Sequence, residues 1–335
     1  MTKREIVIAA LSHQDTPVVP YDIGFTIPMR DKMIDYLGDP NFESKIEGYF
    51  IGCEYGGWAT EMPDKPGYFK DAYGVVWNRS GVDKDIGVIE EFVIPEPDIS
   101  LIPNFTLDEA RLRRDLENVV KNAGDRFTMG GVGFSLFERM WTLTGMENAL
   151  IYMLKNPDFV HALLDSIVDL NMRVIDISGE YPLDGMRFGD DWGQQFGLIM
   201  GPPHWRTFLK PQLARMYGRV HEQNRFVIQH SCGDISSIYE DLIEIGLDCH
   251  NTFQPEIYDI EKIKAEIGDR MSFWGGISTQ QLLPYATPEV VESETRRIMS
   301  VMSKGGGFIV SPTHSVPYDV PPENIMAMLK VFQNQ

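Results

Sequence analysis

The stretch Phe226-Val227-Ile228-Gln229-His230-Ser231-Cys232-Gly233-Asp234 decides the reading of the chain. A run of strand-favouring residues ends abruptly in His-x-Cys and a glycine. Side chains two apart on a strand share a face, so His230 and Cys232 project together from its C-terminal end. An imidazole and a thiol paired in this way make half a site for a soft divalent metal, zinc being the best match. The remaining ligands must come from elsewhere in the chain.

Working outward from this stretch, strand and helix patterns alternate. Residues 107–123, 146–153, 157–178, 203–223, 238–245, 260–267, 288–303 and 322–332 carry helical spacing of apolar residues. Between them lie strand candidates at 126–134, 185–191, 247–254, 271–277 and 307–314, with an earlier one at 18–24 after a short helix at 3–11. Repeated alternation of this kind predicts a parallel sheet covered by helices. Five strand candidates end in polar or glycine-rich residues: Asp190-Asp191, His230/Cys232, Gln254, Gly275-Gly276 and His314. Chemistry gathered at the C-terminal ends of strands is the mark of a (β/α)8 TIM barrel. A doubly wound open sheet is the alternative. No Gly-x-Gly-x-x-Gly fingerprint or phosphate loop supports it. The expectation is a single barrel domain over 1–335, interrupted at 25–103 by an irregular insertion rich in Gly, Pro and aromatic residues, Trp58 and Trp77 among them.

The 335 residues carry a formal charge of -19, which repels nucleic acid and anionic membranes. Three cysteines (Cys53, Cys232, Cys249) cannot build a disulfide framework. No secretory signal opens the chain, and no apolar run approaches the ~18–20 residues of a membrane span. A cytoplasmic location is therefore expected.

His314 ends a strand candidate and precedes a proline-rich loop, which makes it the third candidate metal ligand. His13, His161, His204 and His221 fall on or near helix ends. Cys249 and His250 are adjacent and so point to opposite faces. Three protein ligands with an open fourth position describe a catalytic zinc. Asp190, Asp191, Glu138 or substrate could fill the fourth position. Asp190 and Asp191 are also candidates for catalytic hydrogen bonding or for orienting a ligand. Asp234 is read as a cap for the helix that follows.

The chain resembles the uroporphyrinogen decarboxylase superfamily, and within it the corrinoid-dependent methyltransferase branch of the O-demethylase type. The motifs that carry the likeness are His230-Ser231-Cys232-Gly233-Asp234, Phe273-Trp274-Gly275-Gly276-Ile277 and Ser311-Pro312-Thr313-His314. The resemblance implies a (β/α)8 barrel. The decarboxylases carry an Arg-Gln-Ala-Gly-Arg run that grips an acidic porphyrinogen. Here the corresponding stretch reads Tyr21-Asp22-Ile23-Gly24-Phe25. The zinc methyltransferases use His-x-Cys with a distant Cys, and His314 stands where that Cys would be. Zinc is thus the implied metal, and the corrinoid (cobalamin) is the implied cofactor, carried by a partner protein. The leading expectation is demethylation of a small aromatic methyl ether, with Phe134, Trp192, Gln254 and Trp274 contacting the substrate. Methyl transfer from a methylcorrinoid to a thiol, decarboxylation and a non-catalytic ligand-binding scaffold are the rivals. Self-association into a homodimer is left open.

Overall fold

The computed structural model describes residues 1–56, 59–81 and 85–335, so Trp58 lies outside the described residues. The strands are β1 (Phe50–Gly52), β2 (Ala59–Glu61), β3 (Tyr68–Asp71), β4 (Val76–Asn78), β5 (Val88–Ile89), β6 (Phe127–Val132), β7 (Gly185–Gly189), β8 (Gly193–Gln194), β9 (Gly197–Leu198), β10 (Phe226–His230), β11 (Cys249–Phe253), β12 (Ser272–Ile277) and β13 (Phe308–Pro312). Strands β6, β7 and β10 lie side by side in that order, as do β11, β12 and β13. Consecutive long strands pair in parallel in β6–β7, β7–β10, β11–β12 and β12–β13. The expected α/β barrel class is the one observed.

Two compact units make up the chain. One comprises Met1–Ile51, Ala123–Phe127 and Asp248–Gln335. Its strands β11, β12 and β13 are buried along their whole length, as parallel strands with both faces covered must be. Helices Ile260–Ile267, Pro288–Met302 and Pro322–Gln333 follow those strands in turn. The expected first strand at 18–24 is reduced to parallel bridges, Tyr21 with Val310 and Phe25 with Val316. Pro20 explains part of the reduction, because proline has no N–H to give a ladder. The segment read as irregular holds helix Ile27–Leu37, with Thr26 as its N-cap, and the short strand β1.

The other unit comprises Gly52–Asn122 and Thr128–Leu247. Strands β6, β7 and β10 are parallel, with Gly185 opposite both Met129 and Phe226. Along β7 the side chains alternate. Phe188 packs on Tyr217 of helix Lys210–Glu222 with ring centroids 5.7 Å apart. Met186 lies close to Gly130, where Leu183 and Ser178 also crowd. Gly185, Arg187 and Gly189 therefore face away from the helices. The expected helix 203–223 is broken by a π-helical turn at Trp205–Leu209. Pro211 accounts for it, since it cannot donate to the carbonyl four residues back.

Within this unit, β2–β5 form an antiparallel sheet tied to helix Phe137–Thr144 by a buried ion pair. Arg139 Nη1 lies 2.8 Å from Asp71 Oδ2, and both side chains are almost completely shielded. Arg139 also donates to Gly56 O (3.1 Å) and stacks 3.8 Å from the centre of the Tyr73 ring. Asp71 accepts the N–H groups of Tyr73 and Val75 and the Trp77 indole. Removing one member of such a pair strands the other charge. Arg139→Met is expected to lower stability by about 3–5 kcal/mol, measured by chemical denaturation.

Candidate metal centre

Strands β7 and β10 pair until His230 stands opposite Gly189. The pairing continues past both strands: Asp190 N donates to His230 O (3.0 Å), Gly193 N to Cys232 O (3.2 Å) and Asp234 N to Gln194 O (2.8 Å). The two backbones pass so closely that side chains are excluded. A Cβ on Gly193 would sit 2.6 Å from Cys232 O, and one on Gly233 would sit 2.2 Å from Gly193 C. Gly233 also has φ +76°, a region that L side chains rarely adopt. The His-x-Cys-Gly sequence is therefore a strand end followed by a turn only glycine can make.

This geometry sets His230 Nε2 3.6 Å from Cys232 Sγ. His314 follows the end of β13, where Thr313 N bonds Ile277 O (2.9 Å) and Thr313 Oγ1 lies 2.9 Å from Thr279 Oγ1. Asp191 braces the pair. Its Oδ1 accepts the Cys232 N–H (2.8 Å) and lies 3.6 Å from His230 Nε2. Burial, then the negative charge of Asp191, push the Cys232 thiol far up, while Arg187 pulls it down. Burial likewise raises the Glu138 carboxyl well above its usual range, with Asp191 and Asp190 adding to it.

Asp190 occupies a different place from the one its sequence position suggests. It is completely buried and accepts the N–H groups of Leu136 (3.2 Å), Phe137 (3.0 Å) and Glu138 (2.7 Å), together with the Trp192 indole. Burial raises its carboxyl to about 6 even against these donors. Its oxygens are occupied in capping helix Phe137–Thr144, which has no capping side chain of its own. Trp192 is also completely buried, edge-on to Trp205 at 5.5 Å, with its backbone N–H on Ser231 Oγ (3.0 Å). As placed, it offers no face to a ligand.

Phe134 is half-buried at φ +49°, with Trp77 at 5.7 Å and Trp141 at 6.5 Å. Trp274 stacks on Phe50 at 4.4 Å, and both Trp274 and Gln254 are buried. The histidines set aside have structural contacts: His204 with Met200 O, His221 with Gly246 O, and His161 with Phe208. Asp234 accepts the Ser236 N–H (2.9 Å) and hydroxyl (2.7 Å) in a local turn and is not the expected cap: the N-cap of the short helix Ser236–Ile238 is Ile235, with no capping side chain. Arg187, whose charge acts on the Cys232 thiol, sits in the glycine-bounded strand Gly185-Met186-Arg187-Phe188-Gly189, which carries no motif of its own.

Fold and site together define an α/β barrel protein with a cysteine–histidine pair at a strand end. Residues 87–335 match the family model described as Uroporphyrinogen decarboxylase (URO-D), and the chain belongs to that family. It is 25% identical over 251 residues to a uroporphyrinogen decarboxylase of Geobacter sulfurreducens, covering 72% of this chain and 68% of that protein. It is 24% identical over 292 residues to a methylated-thiol–coenzyme M methyltransferase of Methanosarcina mazei, covering 87% of this chain and 70% of that protein. A solved methyltransferase from Methanosarcina mazei superimposes with a TM-score of 0.73 at 17% identity, over 100% of this chain and 99% of that one. That likeness carries the fold. Among the described residues, no helix is long and apolar enough to cross a membrane.

Two outcomes test this geometry. Incubated with zinc and then desalted, Gly233→Ala, which forces Cβ into the Gly193 backbone, is expected to retain about tenfold less metal than the unaltered chain by elemental analysis. Gly218→Ala, which meets open space, leaves it unchanged. In metal-free protein, Asp191→Asn removes a charge that holds the Cys232 thiol up. Its pKa falls, more thiolate forms, and alkylation of Cys232 at pH 9, followed by peptide mass spectrometry, is expected to speed up.

Proposed function

We propose that this protein is a zinc-dependent methyltransferase that cleaves an aryl methyl ether and passes the methyl group to the cobalt(I) corrinoid of a partner protein. The observation that carries the reading is the pairing of the His230 imidazole with the Cys232 thiol at one strand end, to which the sequence adds His314 as the third candidate ligand. The donor set fits zinc. A tetrahedral ion holding one sulfur and one nitrogen separates them by about 3.5 Å. The His230–Cys232 separation is 3.6 Å. One thiolate and two neutral imidazoles leave the ion more positive than two thiolates would.

His230, Cys232 and His314 would hold the metal, which when bound supplies a Lewis acid for the oxygen that leaves as phenolate. The chain's own residues do the positioning. Asp191 fixes the Cys232 backbone, and Asp190 locks helix Phe137–Thr144 to the end of β7. Phe134 offers a ring face for an aromatic substrate. Its left-handed backbone is the kind of strain often held at functional sites. Methyl leaves the ether oxygen with no electrons and bonds to the cobalt pair, so phenolate and methylcobalt(III) are the products.

The sequence relationship to the coenzyme M methyltransferase supports a second reading, in which a thiol accepts methyl from a methylcorrinoid. Decarboxylation is less supported, because this chain lacks the arginine run that would grip an acidic porphyrinogen.

A purified preparation is expected to hold about one zinc per chain. Incubated with a cobalt(I) corrinoid protein and a panel of methoxyarenes, it should yield methylcobalt(III) by absorbance. His230→Ala and Cys232→Ser should lose both the metal and the activity. Methylation of thiols with no turnover of any ether would replace this reading with the second one.

A further inference from the structure

Gln229 is completely buried on the helix-facing side of β10, opposite Phe188 of β7. A parallel strand covered by helices normally presents an apolar residue there, because a buried amide is costly unless both its ends are hydrogen-bonded. Here both ends are. Its Oε1 accepts the Tyr217 hydroxyl (2.6 Å), and its Nε2 donates to the carbonyl of His230 (2.7 Å). The amide satisfies both neighbours in one orientation only, since turned over it would aim its oxygen at that carbonyl. Tyr217 belongs to helix Lys210–Glu222, is itself completely shielded, and holds its ring against Phe188. Two hydrogen bonds in series thus run from the helix layer to the backbone of a metal-ligand candidate.

β10 ends at His230. Between the α-carbons of His230 and Cys232 only the ψ of His230, both dihedrals of Ser231 and the φ of Cys232 are soft. The direction of the His230 carbonyl fixes the first of these, and two donors hold it: Gln229 Nε2 and the Asp190 N–H (3.0 Å). The far end is held as well. The Cys232 N–H goes to Asp191 (2.8 Å), and the Cys232 carbonyl accepts Ser231 Oγ and the Gly193 N–H, each at 3.2 Å.

We infer that Tyr217 and Gln229 are positioning residues that act through the His230 carbonyl to hold the imidazole at its working distance from the Cys232 thiol. Their place on the helix side keeps them out of contact with any substrate. The inference deepens the proposed function and rests on it for the metal alone.

Tyr217→Phe keeps the ring against Phe188 and removes only the hydroxyl, while Gln229→Met keeps the volume and removes the donor. Zinc dissociation constants are measured by competition with a chromophoric chelator, without substrate or corrinoid. Gln229→Met should bind zinc about 10- to 100-fold more weakly than wild type, the usual effect of losing a group that orients a metal ligand. Tyr217→Phe should lose about tenfold. The double variant should be no weaker than Gln229→Met alone, because the hydroxyl acts only through the amide. Leu116→Ala, in the buried face of helix Glu109–Lys121 of the same unit, should lower the melting temperature yet leave zinc affinity within about threefold. In metal-free protein, hydrogen exchange read by mass spectrometry should be at least tenfold faster in Gln229→Met over the peptide carrying the Cys232 amide. Unchanged zinc affinity in Gln229→Met overturns the inference, as does an equal loss in Leu116→Ala. Should Gln229→Met misfold, Tyr217→Phe decides by the same measurements. The two proposals fail separately. If wild type takes up no zinc, the zinc reading falls and exchange alone decides the positioning role. Tight zinc binding untouched by either variant removes the positioning role and leaves the zinc reading standing.

Discussion

The carboxylate of Asp190 holds three pieces of chain at one point. A buried carboxylate is costly unless its lone pairs are filled, and here four N–H groups fill them. Two donors are the first amides of helix Phe137–Thr144, the third is the amide of its N-cap residue Leu136, and the fourth is the indole of Trp192. The Asp190 N–H donates in turn to the carbonyl of His230. One side chain thereby fixes the start of a helix, the exit of β7 and the backbone of a metal-ligand candidate. Asp191, next in sequence, reaches the opposite way to the Cys232 amide. The Asp-Asp pair is one anchor facing the core and one brace facing the site.

The hairpin sheet depends on a second buried charge. Asp71 gathers its own turn through the amides of Tyr73 and Val75, then receives Arg139 from the helix that Asp190 caps. That helix therefore carries Glu138 toward the site on one residue and Arg139 toward the hairpins on the next. Phe134, Trp77 and Trp141 pack around this junction. The aromatic residues of the irregular segment serve partly as local core and partly as the setting for Phe134.

Much of this was legible from residue order. Helices with an apolar stripe and a local start signal, such as Lys3–Leu11 and Ile260–Ile267, were readable to the residue, and Thr2 and Asp259 cap them from within the motif. Helix Phe137–Thr144 was not, because its cap comes from a residue more than fifty positions later. For the same reason Asp190 looked like chemistry: two consecutive aspartates at a strand end carry no mark of which one turns inward. Trp192 reads as a substrate contact by residue type, yet its indole, amide and carbonyl are all hydrogen-bonded in the core, which no local pattern announces. His230 and Cys232 stand out as candidates because strand alternation is local, and His314 because it follows the end of a strand.

The close passage of Gly193 against Gly233 bears on how such a centre can be moved or copied. The loop carrying Cys232 and the hairpin Gly193–Leu198 share backbone hydrogen bonds and leave no space for a β-carbon on either side. Neither segment keeps its path when its counterpart is replaced by a loop of ordinary composition. A designer who transplants the His-x-Cys motif alone into another barrel carries over two candidate ligands and loses the mould that aims them. The portable unit is the pair of chain segments, cut from two places in the sequence and moved as one piece.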